Sequence, residues 1–311
     1  MKLGIIGIGK VGSQFLTDIQ YMNQFSEITV IDTNEKLVKG EVLDHQHMQG
    51  LASTNSIDVH VGEYKDLADA NIIVVTASTP MDASIVDRTS LARNNKTIVK
   101  DIMSQIEQVT HDAIVIFITN PVDAMTYIAT TTSNYPKHKI LGTGTLLESA
   151  RFRKLIANHY NIDPKSVEAF VMGEHGKHAV PIWSRVRIGG MTIDEFEKLY
   201  DCEPIDKAAI SSIIDKVAFD VLHNKGWTNT AISRATVELV NTIVLNQRAI
   251  LPVTSMLEGE YNKRNVGLGI PTLISNQGVE KRFDMELDKI ELQHLADAEA
   301  YIKEAIAVEE A

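Results

Sequence analysis

The order of apolar segments in this 311-residue chain predicts an α/β protein, with a doubly wound parallel sheet followed by an α+β lobe. Three observations carry that reading. Short strands that are apolar throughout alternate with helical stretches in the first half; a glycine-rich turn follows the first strand directly; and the alternation gives way after about residue 143 to longer helices and a strand pair.

The strands are read at Leu3–Ile6, Ile28–Ile31, Ile57–Val61, Ile72–Thr76, Ala113–Ile118 and Lys139–Leu141. A strand without a polar face needs cover on both sides, which parallel sheets receive from their crossover helices. Arg88–Val109 has helical spacing, with Leu91, Ile98, Ile102 and Ile106 marking one face. In the second lobe the pattern predicts a helix through Arg153, a short β-rich region over Ala179–Gly190, two helical runs between Asp206 and Asn246, strands at Ala249–Glu258 and Gly267–Ser275, and a helix from Leu287 onward. The lobes are set at 1–143 and 144–311, and no linker or low-complexity tract parts them, so a broad interface is expected.

Composition narrows the function. No apolar run reaches the roughly 18 residues a membrane span needs, and the first residues read as a strand rather than a signal peptide, so a cytoplasmic protein is expected. A net charge of −11 with no dense basic stripe would repel a phosphate backbone, which argues against nucleic acid. The single cysteine, Cys202, cannot form an intrachain disulfide or build a thiolate metal site, and no metal is expected.

Gly7-Ile8-Gly9-Lys10-Val11-Gly12 closes the first strand and opens a helix, and Asp32 ends the second strand 20 residues after Gly12. Glycines at this point let the backbone approach a pyrophosphate whose charge meets the helix N-terminus. An acid at the second strand end accepts bonds from ribose hydroxyls and repels a 2′-phosphate, so the cofactor is read as NAD rather than NADP.

The stretch from Gly142 to Pro181 holds the chemistry. Glu148 and Arg151 stand three residues apart and share a helix face. His175 sits in Gly173-Glu174-His175-Gly176, between two glycines that let the ring stand clear of its neighbours. A carboxylate that binds one ring nitrogen decides which nitrogen is free to exchange a proton. Together these residues suggest acid/base chemistry beside an anion clamp.

Read in order, the glycine turn, Asp32, Thr119-Asn120-Pro121-Val122-Asp123, Glu148-Ser149-Ala150-Arg151-Phe152-Arg153 and Gly173-Glu174-His175-Gly176 resemble the L-lactate and malate dehydrogenase family over nearly the whole chain. The L-lactate and L-2-hydroxyisocaproate dehydrogenase branch is the most similar. The resemblance implies a Rossmann lobe, then a catalytic lobe, a homotetramer or homodimer, and reversible hydride transfer between NAD and an L-2-hydroxy acid. It implies His175 as the proton-exchanging group, Glu148 as its orienting acid, and Arg151 as the grip on the substrate carboxylate. Arg88 matches the arginine of a closing loop that polarises the reacting carbonyl. Asn120 would reach both the substrate oxygen and the cofactor, and Thr228 the opposite pocket wall. Gly7, Gly9, Val11, Gly12, Asp32, Tyr64, Ala77, Ser78, Thr119 and Thr143 would line the cofactor.

Departures from the family's pattern set the finer expectations. Glu148 stands where the family usually has aspartate. The loop Ser78–Asp87 lacks the usual glycine and is one residue longer, which puts Met81 or Asp82 opposite the substrate side chain. Malate dehydrogenases carry an arginine there; without it a second substrate carboxylate enters unpaired, so oxaloacetate is disfavoured. A flexible apolar methionine and a longer loop favour pyruvate or a branched 2-oxo acid such as 4-methyl-2-oxopentanoate. Arg153 matches the fructose 1,6-bisphosphate-activated enzymes, but Glu168 replaces their histidine, so no activation by that anion is expected. Two other classes fit the residues less well. An NAD-dependent glycosidase would need a metal held by cysteine and histidine, and a non-catalytic NAD sensor would have no use for His175, Arg151 and Arg88 together.

Overall fold

The computed structural model describes residues 1–52, 55–79 and 88–308, with the side chains of residues 88–90, 215 and 218 outside that description. The first lobe runs β1 (Lys2–Ile6), α1 (Lys10–Gln20), β2 (Glu27–Ile31), α2 (Glu35–Met48), β3 (Asp58–Val61), β4 (Ile72–Val75), α3 (Arg88–Val109), β5 (Ile114–Phe117), α4 (Val122–Thr131) and β6 (Ile140–Gly142). Its strands lie in the order β3-β2-β1-β4-β5-β6, all parallel, so the strand order reverses between β1 and β4, the point at which open sheets of this kind bind ligands at their strand C-termini. The continuous apolar runs have a plain cause. Ile72, Val74, Ile114 and Ile116 face Phe15, Leu16 and Ile19 of α1 in one core, whereas Ile73, Val75, Val115 and Phe117 face Val99, Ile102, Met103 and Ile106 of α3 in the other.

The second lobe comprises α5 (Leu146–Tyr160), β7 (Val167–Glu168), β8 (Val171–Gly173), β9 (Ala179–Pro181), β10 (Arg187–Ile188), α6 (Ile193–Tyr200), α7 (Lys207–Lys225), α8 (Thr230–Val244), β11 (Ala249–Glu258), β12 (Arg264–Ser275), β13 (Gly278–Arg282) and α9 (Lys289–Ala307). The β-rich region expected over 179–190 divides: β9 joins β8 in the main sheet, and β10 pairs with β7 in a separate ribbon. Gly226 at φ +86 ends α7 and separates the two helical runs. α6 and β13 add to the sequence reading, the first opening on a reciprocal cap between Thr192 and Glu195.

The parallel core does not stop at the lobe boundary. Thr254 of β11 pairs antiparallel with Gly142 of β6, so β11, β12, β8 and β9 extend the same sheet into one mixed structure. α4 packs along β11 and β12, and glycine is required at Gly267 because a Cβ there would run into the Asp123 carbonyl oxygen. Gly267→Ala should cost about 2 kcal/mol and lower the calorimetric melting temperature by several degrees. An unchanged melting temperature would show that α4 and β12 can part without penalty.

Candidate active site

The glycine turn is built by close approach. Gly7 has φ +96, and a Cβ on it would strike the backbone of Ala77; a Cβ on Gly12 would strike the Gly7 carbonyl. A Cβ on Gly9 would meet nothing within 4 Å, so that side of the turn faces open space at the N-terminus of α1. The Asp32 carboxylate accepts the Ile8 backbone N–H at 2.7 Å and the Asn34 N–H at 2.8 Å, which ties the end of β2 to the turn. A bare cradle at a helix N-terminus with a carboxylate alongside suits a dinucleotide's pyrophosphate and ribose. Val11 packs on one core from the first turn of α1, and Tyr64 and Ala77 pack on the other beside Ile31. Burial pushes the Tyr64 hydroxyl up to about 12.

From Ala77 a chain of contacts leads to the catalytic candidates. Thr119 Oγ1–H donates to the Ala77 carbonyl at 2.7 Å, and the Thr143 N–H donates to the Phe117 carbonyl at 3.0 Å. Asn120 follows Thr119, is exposed, and precedes a cis peptide bond to Pro121. Asp123, in the first turn of α4, is buried; its carboxylate accepts the His175 backbone N–H at 2.7 Å and the Thr254 hydroxyl. The segment carrying Asn120 is thereby fixed to the loop carrying His175.

That loop is shaped from below. Glu174 is buried and accepts the His178 N–H at 2.8 Å, closing residues 174–178 into a turn, and Gly176 at φ +150 passes over its carboxylate where a Cβ would clash. His175 Nδ1 lies 3.0 Å from Glu148 Oε2. A carboxylate there only accepts, so the Nδ1 proton points to Glu148 and Nε2 is left for exchange. Glu148 Oε1 accepts Arg151 Nη1–H at 3.0 Å, with Glu148 only 4% exposed, Arg151 16% and His175 21%. Among the described residues Glu148 is the one ion-pair partner of Arg151, and it uses a single guanidinium nitrogen of the five-donor group.

Charge follows from this packing. Burial on its own would lower the His175 pKa, but Glu148, with Asp123 and Glu174 behind it, pushes it up to about 9. Burial raises Glu148, and His175 and Arg151 more than offset that, holding its carboxyl below its ordinary value. Asp123 goes the other way: burial lifts it to about 7 against the pull of its two hydrogen bonds.

Thr228 is half-buried in the turn between α7 and α8. The cap of α8 is made by Asn229, whose side chain accepts the Thr230 N–H, so Thr228 does not serve as the cap. Its neighbour Trp227 has the Lys10 ammonium 4.8 Å from its ring centroid, which sets this turn against the glycine loop. Arg88 begins α3, with its side chain outside the described set, and Met81 and Asp82 lie outside the described residues altogether. The sequence reading gave no role to Asp123, Glu174 or Thr254; an acid inside the apolar run Val122–Thr130 was the signal available for the first.

Models of the lactate/malate dehydrogenase NAD-binding domain and of the α/β C-terminal domain match residues 1–142 and 145–311. The chain belongs to the lactate/malate dehydrogenase family. It is therefore an NAD-dependent L-2-hydroxy acid dehydrogenase of the lactate dehydrogenase type. Among similar proteins, L-lactate dehydrogenase 2 of Clostridium acetobutylicum is 39% identical over 307 residues, covering 98% of this chain and 96% of that one. The L-lactate dehydrogenase of Selenomonas ruminantium is 36% identical with the same coverage. The ligand-bound crystal structure of the minor L-lactate dehydrogenase from Enterococcus mundtii superposes with a TM-score of 0.92 at 30% identity, covering 98% of this chain and 97% of that one.

The arrangement makes a spectroscopic prediction for this dehydrogenase. The imidazole of His175, followed by NMR, should titrate near 9 in the wild-type enzyme and move down toward its ordinary 6.5 in Glu148→Gln. The Gln variant should lose about 100-fold in turnover, because a neutral amide orients the ring without stabilising its charge. A titration that does not move would mean that a different group sets the ring's charge.

Proposed function

We propose that the enzyme interconverts a small 2-oxo monocarboxylic acid and its L-2-hydroxy acid, with pyruvate/lactate and branched analogues such as 4-methyl-2-oxopentanoate as the substrate class. The observation that carries this is one buried carboxylate, Glu148, holding both the His175 imidazole and the Arg151 guanidinium at 3.0 Å. An anion-binding group and a proton-exchanging group are thus fixed side by side, as a substrate with a carboxylate next to its reacting carbon requires.

The glycines, Asp32, Val11, Tyr64, Ala77, Ser78, Thr119 and Thr143 would hold NAD, which when bound supplies or accepts the hydride. Arg151 takes the substrate carboxylate through the guanidinium donors that Glu148 leaves open. During reduction, His175 gives its Nε2 proton to the carbonyl oxygen as C2 gains hydride; during oxidation, neutral His175 takes the hydroxyl proton from the same oxygen. A histidine raised to about 9 is protonated at neutral pH, so the resting enzyme is set for reduction. Asn120 and Arg88 complete the polar surround of that oxygen, and Thr228 with Met81 or Asp82 bounds the side chain.

The sign of the pH dependence follows. For reduction, kcat/KM should hold level through neutral pH and fall as pH rises past about 9, whereas for oxidation it should rise over the same interval.

NADH oxidation against pyruvate, 4-methyl-2-oxopentanoate, phenylpyruvate and oxaloacetate tests the substrate class. Monocarboxylates should turn over and oxaloacetate poorly; a preference for oxaloacetate, or binding of NADH with no turnover, would sink the proposal. In Arg151→Lys, kcat/KM should fall by about 100-fold, since a single ammonium cannot make two parallel bonds to a carboxylate.

We also propose that fructose 1,6-bisphosphate does not activate the enzyme. Arg153 is half-buried, donates to the Ala169 carbonyl at 3.3 Å, and has the Glu168 carboxylate on the adjacent residue, where it repels a phosphate. The half-saturating pyruvate concentration should be the same with and without the sugar bisphosphate; a marked drop on adding it would refute this.

A further inference from the structure

One side chain outside the groups named above joins three of the segments that the proposed reaction uses. Asn95 lies on α3, seven residues or about two turns beyond Arg88, and is fully buried. Its Nδ2 donates to the Asn120 carbonyl oxygen at 2.6 Å and to Ser78 Oγ at 3.0 Å. Its Oδ1 accepts the Thr79 backbone N–H at 2.8 Å and the Thr79 hydroxyl at 3.1 Å. Both donors and both acceptor positions of the amide are therefore used, which fixes its orientation.

The placement has a reason in the sheet. The β4–β5 ladder continues one step beyond the strands, where the Ile118 N–H donates to the Val75 carbonyl at 2.9 Å. Further out, the two strand exits are held by side chains: Thr119 on the Ala77 carbonyl, and Asn95 between Thr79 and Asn120. These exits carry Ala77 and Ser78 on one side and Asn120 on the other, and the helix that supplies the amide begins at Arg88.

We propose that Asn95 is a positioning residue for the oxo-acid reduction. It sets the Asn120 main chain against the Ala77–Thr79 edge and against the helix that starts at Arg88, so that all three meet the substrate in one register. The inference rests on the proposed function, since it assumes that Asn120 acts on the reacting oxygen. An amide is required because the position must donate toward Asn120 and accept from Thr79 at once. Aspartate keeps the size and the acceptor but faces the Asn120 carbonyl with a second oxygen. Serine keeps a polar atom but is too short to span both exits.

The experiment compares wild type, Asn95→Asp and Asn95→Ser, each normalised to folded protein by its circular dichroism. Three quantities are read: steady-state kinetics with the best oxo acid of the panel, the primary isotope effect on kcat with NADH deuterated at the transferred hydrogen, and hydrogen exchange of the segment containing Thr79 in cofactor-free protein. In both variants kcat should fall at least about 10-fold, the isotope effect should rise as the chemical step becomes slower than release, and Thr79 should exchange faster. NADH affinity should change less than kcat, because the glycine turn and Asp32 are untouched and only the bond to Ser78 is lost on the cofactor side. A merely structural role would lower the folded fraction and leave the isotope effect of the remaining enzyme unchanged. That result, or wild-type kcat in both variants, overturns the inference while the proposed function stands. A wild-type enzyme that reduces no oxo acid in the panel overturns the proposed function and this inference with it. Should Asn95→Asp fail to fold, Asn95→Ser decides the matter.

Discussion

The site depends on one buried carboxylate placed between two cationic groups. Glu148, nearly inaccessible to water, binds the His175 ring with one oxygen and the Arg151 guanidinium with the other. A lone carboxylate would be costly at that depth, and so would an imidazolium; each is tolerable because the other is there. Geometry and charge therefore have a common origin. The bond that selects the ring tautomer also raises the ring's proton affinity, and the bond that steadies Arg151 engages one nitrogen of its guanidinium. Because α5 presents Glu148 and Arg151 on one face, the tip of the glutamate spans both the guanidinium and the imidazole.

A second buried acid does the corresponding work for the backbone. Asp123 receives bonds from the His175 N–H and from Thr254, and Thr254 is also the β11 residue that pairs with Gly142 of β6. The junction between the lobes, the start of α4 and the histidine loop thus meet at one side chain. Asp123 sits in the first turn of α4, where the helix dipole favours negative charge, yet burial raises its proton affinity all the same. The distance from Asn120 to His175 is set by this tie and by three residues of chain, which gives a stiffer frame than two lobes joined by a hinge.

Much of this was legible in the sequence, and the boundary of legibility is physical. Apolar strands bounded by turns predicted the six parallel strands within a residue or two because burial on both faces leaves no other composition available. The glycine turn and Asp32 could be read because backbone approach to a pyrophosphate restricts both residue type and spacing. Glu148 and Arg151 were visible as a pair on one helix. What stayed hidden was contact between residues distant in the chain: Thr254 lies 131 positions from Asp123, and nothing local marks its hydroxyl as the partner of an acid. Short strands such as β7, β8 and β10, of two or three residues, have too little periodicity to stand out.

The same distinction separates the reaction class from the choice of substrate. The groups proposed for proton exchange and carboxylate binding stand on α5, α4 and the Glu174-braced loop, whose bonds are short and mutually dependent. In the proposed function, selection among oxo-acid side chains rests on Met81 or Asp82 and on Thr228, whose turn is held to the glycine loop by the Lys10–Trp227 contact. A methylene added to a substrate in an apolar pocket changes binding by about 1–3 kcal/mol, which a few side chains can supply or withhold without disturbing the acid/base pair. In the proposed function, chemistry and specificity therefore rest on different parts of the chain. Within the first, Glu148 makes both bonds on which the pairing of His175 and Arg151 depends.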